Sequence, residues 1–240
     1  MARWLTQLQQ FVRYYGLSAT VPTLIGRIWP SARQSQWYVQ RKEMAFDRRF
    51  GVDTVGMVAV SELGIDGEFQ QQAVEYSPTP GIGLGVVFHE LGIDFEQFTF
   101  VDIGCGKGRA LFMAGEFPFA RIIGVELSRG LCEACWRNIA RCKLHRLACH
   151  QIECLQGSAT DYEFPNVPLV VYLFNPFGAE VLSQVLERLK VSAALQSRQI
   201  IAVYCNPVHR FLFEESDVWQ SCPMRNGRAP AGWAVYRSRI

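Results

Sequence analysis

The run Val101-Asp102-Ile103-Gly104-Cys105-Gly106-Lys107-Gly108-Arg109 constrains this chain more than any other stretch. Phe98, Phe100 and Val101 lead into it as a short apolar segment that reads as a buried strand, and Ala110-Leu111-Phe112-Met113-Ala114 follows as a helix start. Glycines at alternate positions let the main chain turn sharply between strand and helix while a ligand lies against the backbone. Nicotinamide-binding loops read G-x-G-x-x-G and keep their acid at the end of the next strand. Here Asp102 stands two residues before the first glycine, giving D-x-G-x-G-x-G. A carboxylate at that place suits a ligand that carries a positive charge and no phosphate.

Three later segments bear on the same site. Arg121-Ile122-Ile123-Gly124-Val125-Glu126 is an apolar run ending in a carboxylate, 24 positions after Asp102, and Leu127-Ser128 follows. An acid at the carboxyl end of a second strand can accept hydrogen bonds from ribose hydroxyls. The alternative is that Glu126 caps the helix expected over 128–142. Ser128 already fills that cap position, which favours the ribose role. The stretch from His150 to Asp161 reads as a strand running out into the loop Gly157-Ser158-Ala159. Leu169-Val170-Val171-Tyr172-Leu173-Phe174 is continuously apolar, as in a central parallel strand covered on both faces. It ends in Asn175-Pro176-Phe177-Gly178. Ligands of doubly wound sheets sit at the carboxyl ends of strands, so this tetrapeptide is expected to face the ligand. It is also what a tight strand-to-helix turn looks like, with Pro near the helix start.

Together these segments resemble the class I, Rossmann-like S-adenosylmethionine-dependent methyltransferases, over about residues 76–240. The resemblance implies that the loop Gly104, Cys105, Gly106 and Gly108 passes under the amino-acid end of the cofactor, and that Asp102 orients the loop through hydrogen bonds. It implies that Glu126, with Leu127 beside it, holds the ribose. Ser158 and Ala159 stand where the family often has G-D-A, so Ser158 takes the adenine-facing place of an Asp; Asp161 is a possible substitute. Asn175-Pro176-Phe177 resembles the (D/N/S)-P-P-(Y/F) motif of enzymes that methylate amino nitrogen, without its second proline. There the polar side chain accepts hydrogen bonds from the target amine and the ring packs on the substrate. Tyr76-Ser77-Pro78-Thr79 precedes the core where the family carries a loop over the cofactor, so Tyr76 and Thr79 are lid contacts or ordinary linker residues. The combination looks like bacterial methyltransferases of unassigned substrate, and is distantly similar to lysine methyltransferases that use this fold in place of a SET domain.

The expected activity is S-adenosylmethionine-dependent methyl transfer to an amine of a protein or small molecule. No dedicated general base stands out; His89 and His209 are candidates by residue type alone. The rival readings are a non-catalytic cofactor-binding or assembly module, a nucleic-acid methyltransferase and an oxidoreductase. The glycine spacing disfavours the oxidoreductase. The modest net charge of +2 disfavours nucleic acid.

A chain of 240 residues and 27.2 kDa suits one catalytic domain, taken as 76–240, with a helical extension over 1–75. Trp4, Leu5, Leu8, Phe11, Val12 and Tyr15 recur at helical spacing before Gly16; a second short helix is expected over 21–30 and a third over 36–50. Residues 1–50 hold eight Lys/Arg against two acids, net +6, while the rest hold 16 against 20, net −4. The basic segment is read as a solvated, core-packing extension; an acidic protein, a nucleic acid or a membrane surface are its other possible partners. The remainder predicts an α/β doubly wound sheet of seven strands, with 199–204 as a strand and 217–222 and 232–237 as a terminal antiparallel pair. No apolar run reaches about 18 residues and the start lacks a secretory layout, so a cytoplasmic protein without a transmembrane segment is expected.

Cys132, Cys135, Cys142, His145, Cys149, His150 and Cys154 crowd into 23 positions, and Cys132-x-x-Cys135 has the spacing of metal ligands. Yet Cys132, Cys135 and Cys142 fall on one helix at i, i+3 and i+10, the stripe of a core-facing helix. Free cysteine packs as a small hydrophobe, so no metal is expected. Cys105, inside the glycine loop, is a candidate for reaction with thiol reagents.

Overall fold

A computed structural model describes residues 36–65, 67–80, 83–222, 224–225 and 229–239. The seven strands are β1 (Thr99–Ile103), β2 (Arg121–Glu126), β3 (Ile152–Gln156), β4 (Leu169–Phe174), β5 (Ile200–Cys205), β6 (Trp219–Ser221) and β7 (Trp233–Ser238). They form one sheet in the order β3-β2-β1-β4-β5-β7-β6. The first five pair in parallel, and β7 lies antiparallel between β5 and β6. The chain therefore reverses its winding direction between β1 and β4. The carboxyl ends of those two neighbours open the crevice where such sheets bind ligands.

Alternation along the strands sets up two cores. Phe100 of β1, Ile122 of β2, Val170 and Tyr172 of β4 and Ile201 and Val203 of β5 point to one face. Val101, Ile103, Ile123, Val125, Val171 and Leu173 point to the other. Both faces must be covered, which explains why β1 and β5 are buried along their whole length. The first face is covered by α1 (Gln36–Phe50), α3 (Gly83–Leu91), α4 (Arg109–Gly115) and α5 (Arg129–Arg141), with α2 (Glu68–Gln72) between α1 and α3 in the chain. The second is covered by α6 (Ala179–Leu195), whose Val181, Leu182, Val185, Leu186 and Leu189 are buried at helical spacing. A short α7 (Phe211–Glu214) adds Phe213, stacked on Tyr236 of β7 at 4.5 Å between ring centroids.

The helix expected over 36–50 is present as α1, and its Phe46 and Phe50 are fully buried in the same core as α3, α4 and α5. The helices expected before residue 31 lie outside the described residues. The segment after α1 is less helical than the expected extension. It has a 3-10 turn at Val60–Glu62, the five-residue α2 and otherwise irregular chain. Its conformation comes from tertiary pairing: Val58 bridges Tyr76, and Ala73 bridges Phe177. Helix α5 starts and stops within one residue of the expected 128–142. The main difference is that β6 is only three residues long where a strand over 217–222 was expected.

Candidate functional site

The crevice is built by backbone hydrogen bonds that the glycines permit. Gly104, Gly106 and Gly108 all adopt left-handed conformations, with φ of 78°, 55° and 87°. Side chains rarely tolerate that region. The amides of Gly104 and Cys105 donate to the Val125 carbonyl at 2.9 and 3.1 Å, bending the loop toward β2. Gly106 then donates to Glu126 Oε2 at 2.8 Å, and the Ser128 amide to Glu126 Oε1 at 2.8 Å. Ser128 caps α5, its Oγ accepting from the Leu131 amide at 3.5 Å while its hydroxyl donates to the Leu63 carbonyl at 2.6 Å.

The loop is closely covered. A methyl group at Gly104 would meet Pro176 Cβ at 2.7 Å, so the first glycine and the turn after β4 are in direct contact. A methyl group at Gly106 would strike the ring of Tyr76. That ring is buried, and its hydroxyl donates to the Thr54 carbonyl at 2.7 Å. Thr79 is buried too, its Oγ1 accepting from the Tyr172 hydroxyl at 3.3 Å.

These parts enclose a cavity of about 240 Å³. Tyr76, Thr79, Asp102, Gly104, Cys105 and Gly106 line one part of it; Glu126, Leu127, Ser158 and Ala159 line another. Asn175, Pro176 and Phe177, from the turn after β4, line it as well. Gly108 does not line it; it is the N-cap of α4, and a methyl group there would meet Cys135 Sγ at 2.6 Å. Asp161 is also outside, largely exposed and 3.8 Å from Arg188. Neither His89, beside Phe117, nor His209, beside Phe211, lines the cavity, so no described histidine can serve as its base.

The two central carboxylates differ in role from the expectation. Asp102 is 3 % exposed, and no described residue donates a hydrogen bond to its side chain. Burial, and then the charge of Glu126, pushes its carboxyl well above the usual range. Glu126 holds the loop instead. Its carboxyl is raised by burial, while the amides of Ser128, Gly106 and Leu127 favour the ionised form. A buried carboxylate without a donor is costly, and a bound cation beside it removes that cost. Asp102 therefore fits the cationic amino-acid end of S-adenosylmethionine, and Glu126 retains lone pairs for ribose hydroxyls. Leu127, Leu131 and Ala159 add apolar surface to the same cavity.

Arg109 and Asn206 are among the lining residues that were not singled out in the sequence. Arg109, quoted above only as the end of the loop run, is 2 % exposed. Its guanidinium lies 4.4 Å from the Phe46 ring centroid and donates to Thr54 Oγ1 at 3.5 Å, and its Nε has no partner among the described residues. Asn206 follows β5 as Asn175 follows β4. They are the two described non-glycine residues with positive φ, at 49° and 42°. Both precede proline, a context that already disfavours helical backbone. The signal was available: the dipeptide Asn-Pro occurs at 175–176 and again at 206–207. Strain of this kind clusters at ligand sites.

Residues 96–168 match a family described as "Putative methyltransferase". No protein of curated function matches the chain in sequence. Among solved structures, similar folds include an RNA methyltransferase from Salinibacter ruber in complex with S-adenosyl-L-homocysteine (17% identity, 68% of this chain and 92% of that one, TM-score 0.43). Another is a ribosomal protein L11 methylase from Lactobacillus delbrueckii subsp. bulgaricus (16%, 66% and 77%, TM-score 0.44). A third is the mitomycin 7-O-methyltransferase (16%, 66% and 53%, TM-score 0.46). The strand order, the reversed seventh strand, the glycine loop and the family match over 96–168 together fit an S-adenosylmethionine-dependent methyltransferase.

Proposed function

We propose that the chain methylates an amino nitrogen, on a protein side chain or a small-molecule amine. The observation that carries this reading is Asn175. It lines the cavity at the end of β4 in a left-handed turn, and its Oδ1 accepts from the Tyr204 hydroxyl at 3.3 Å. That bond fixes the carboxamide and leaves Oδ1 a second lone pair for an N–H of the acceptor. Phe177 offers an apolar face beside it, and the bridge between Phe177 and Ala73 ties that wall to the segment before residue 76. In this reading the described residues before 76 form an extension that helps build the acceptor side of the domain over 76–240.

Bound S-adenosylmethionine supplies an already activated methyl group. The residues of the chain then have three tasks. Asp102 and Glu126 hold the donor, Asn175 with Phe177 aligns the amine, and the enclosed cavity favours the neutral, nucleophilic amine by excluding water. Alignment of this kind is worth about 7–11 kcal/mol. Among the described residues the carboxylates lining the cavity are Glu75, Asp102 and Glu126; of these Glu75 alone is exposed, and this reading assigns it the amine proton.

The eight cysteines are all buried and none forms a disulfide among the described residues, which suits a reducing compartment such as the cytoplasm. No described helix is long and apolar enough to cross a membrane. The test is transfer of a labelled methyl group to panels of amines, lysine-containing peptides and RNA. Product on nitrogen, lost in Asn175→Ala with cofactor affinity nearly unchanged, supports the proposal. Product on oxygen, carbon or RNA overturns it.

A further inference from the structure

We propose that Cys105, Cys135 and Cys154 form a binding site for a thiophilic divalent cation of the zinc class. The three thiols come from different elements: the glycine loop, α5 and β3. All are buried, and their sulfurs lie within 4.8 Å of one another, Cys105 and Cys154 at 3.7 Å. Sulfurs around a tetrahedral ion with bonds of 2.3 Å are about 3.8 Å apart, so small side-chain rotations bring the trio to bonding geometry.

Two glycines keep room for this cluster. A methyl group at Gly124 would come 2.6 Å from Cys105 Sγ, and one at Gly108 would come 2.6 Å from Cys135 Sγ. Burial of single cysteines needs no explanation beyond packing. Three thiols brought to one point, with a bare backbone beside two of them, form a soft ligand set. The set is not the one the sequence offered. Of the helical stripe, Cys135 alone takes part. Cys132, one turn earlier, gives its thiol to the Glu126 carbonyl at 3.3 Å, and Cys142 sits at the far end of α5.

Binding exchanges three S–H bonds for three metal–sulfur bonds. Three protons leave to solvent, the divalent ion and three thiolates carry a net charge of −1, and nothing is oxidised or reduced. Three sulfurs leave one position of a tetrahedral ion for a further ligand. Cys105 lines the cofactor cavity, and the next residue donates to Glu126. Occupancy would therefore pin the glycine loop, and cofactor affinity is expected to respond.

The experiment titrates the reduced full chain with cadmium(II) as spectroscopic probe, then with zinc(II) as competitor. The expected result is an ultraviolet sulfur-to-cadmium band that saturates at one equivalent and is erased by zinc. Cys135→Ser and Cys154→Ser lose it, while Cys142→Ser and Cys222→Ser keep it. Absence of the band, or its persistence in both Cys135→Ser and Cys154→Ser, overturns the site. X-ray absorption of the cadmium-loaded wild-type chain decides the matter if the variants do not fold: three sulfur neighbours are required, and fewer contradict the proposal. Binding of S-adenosylmethionine is read separately, so failure of the metal site leaves the methyltransferase reading standing.

Discussion

Gly106 donates its amide hydrogen to the carboxylate of Glu126 across 2.8 Å, and this bond joins the glycine loop to the tip of the second strand. The same carboxylate takes the Ser128 amide on its other oxygen, so one side chain fixes both the loop and the start of α5. Glutamine at 126 can accept with one atom only and presents an NH₂ to the other amide. Hydrogen bonds to a charged group are worth about 1.5–3 kcal/mol. Glu126→Gln should therefore weaken S-adenosylhomocysteine by roughly tenfold to a hundredfold, since 1.4 kcal/mol is a factor of ten. Calorimetric titration reads this directly; unchanged affinity would remove Glu126 from the site.

Asp102 has the opposite character, since nothing described donates to it. Its folded carboxyl is raised by burial and by Glu126, above the unfolded value. The folded state therefore holds a proton that the unfolded chain releases, and stability falls as pH rises from the unfolded value through the folded one. Asp102→Asn should flatten that decline and raise the melting temperature of the cofactor-free protein at neutral pH. The same substitution should cost at least about tenfold in cofactor affinity, the worth of a single charged contact. A lower melting temperature with intact binding would show that Asp102 serves the fold instead.

Gly106 has no room for a side chain, because the ring of Tyr76 occupies the place and φ is +55°. Gly106→Ala should displace Tyr76 or the loop and abolish measurable cofactor binding. Left-handed backbone costs a non-glycine residue about 1–2 kcal/mol, so the fold should survive. Circular dichroism with calorimetry separates the two effects.

Asn206 shares its unusual backbone with Asn175 and lines the same cavity. Glycine adopts positive φ at no steric cost, so Asn206→Gly should leave the melting temperature unchanged or slightly raised. Turnover should drop, by about tenfold for the loss of one aligned hydrogen bond, with cofactor affinity intact. A destabilised but fully active variant would make Asn206 a turn residue and nothing more.

The glycine loop, Glu126 and the turn after β4 were legible because each is a local signal. Residue type, spacing and the position at a strand end coincide there, and the structure brings those residues to one cavity. The sheet was legible for a related reason, since the unbroken apolar runs 169–174 and 200–205 fit strands covered on both faces. Residues 51–75 were not, because Val58 and Ala73 owe their conformation to bridges with Tyr76 and Phe177 and not to any period of their own. Arg109 was hidden by its context, as the start of a helix. Its burial against Phe46 depends on α1, more than 50 positions earlier. The division of labour between Asp102 and Glu126 was also out of reach, since it rests on which carboxylate the Gly106 amide meets.

The most direct test is calorimetric titration of the purified chain with S-adenosylmethionine and S-adenosylhomocysteine, with NADH as comparison. Micromolar binding of both adenosyl ligands, none of NADH, and loss of binding in a folded Gly106→Ala variant is the predicted result. A well-folded chain that binds neither adenosyl ligand would contradict the assignment of the crevice around Asp102 and Glu126.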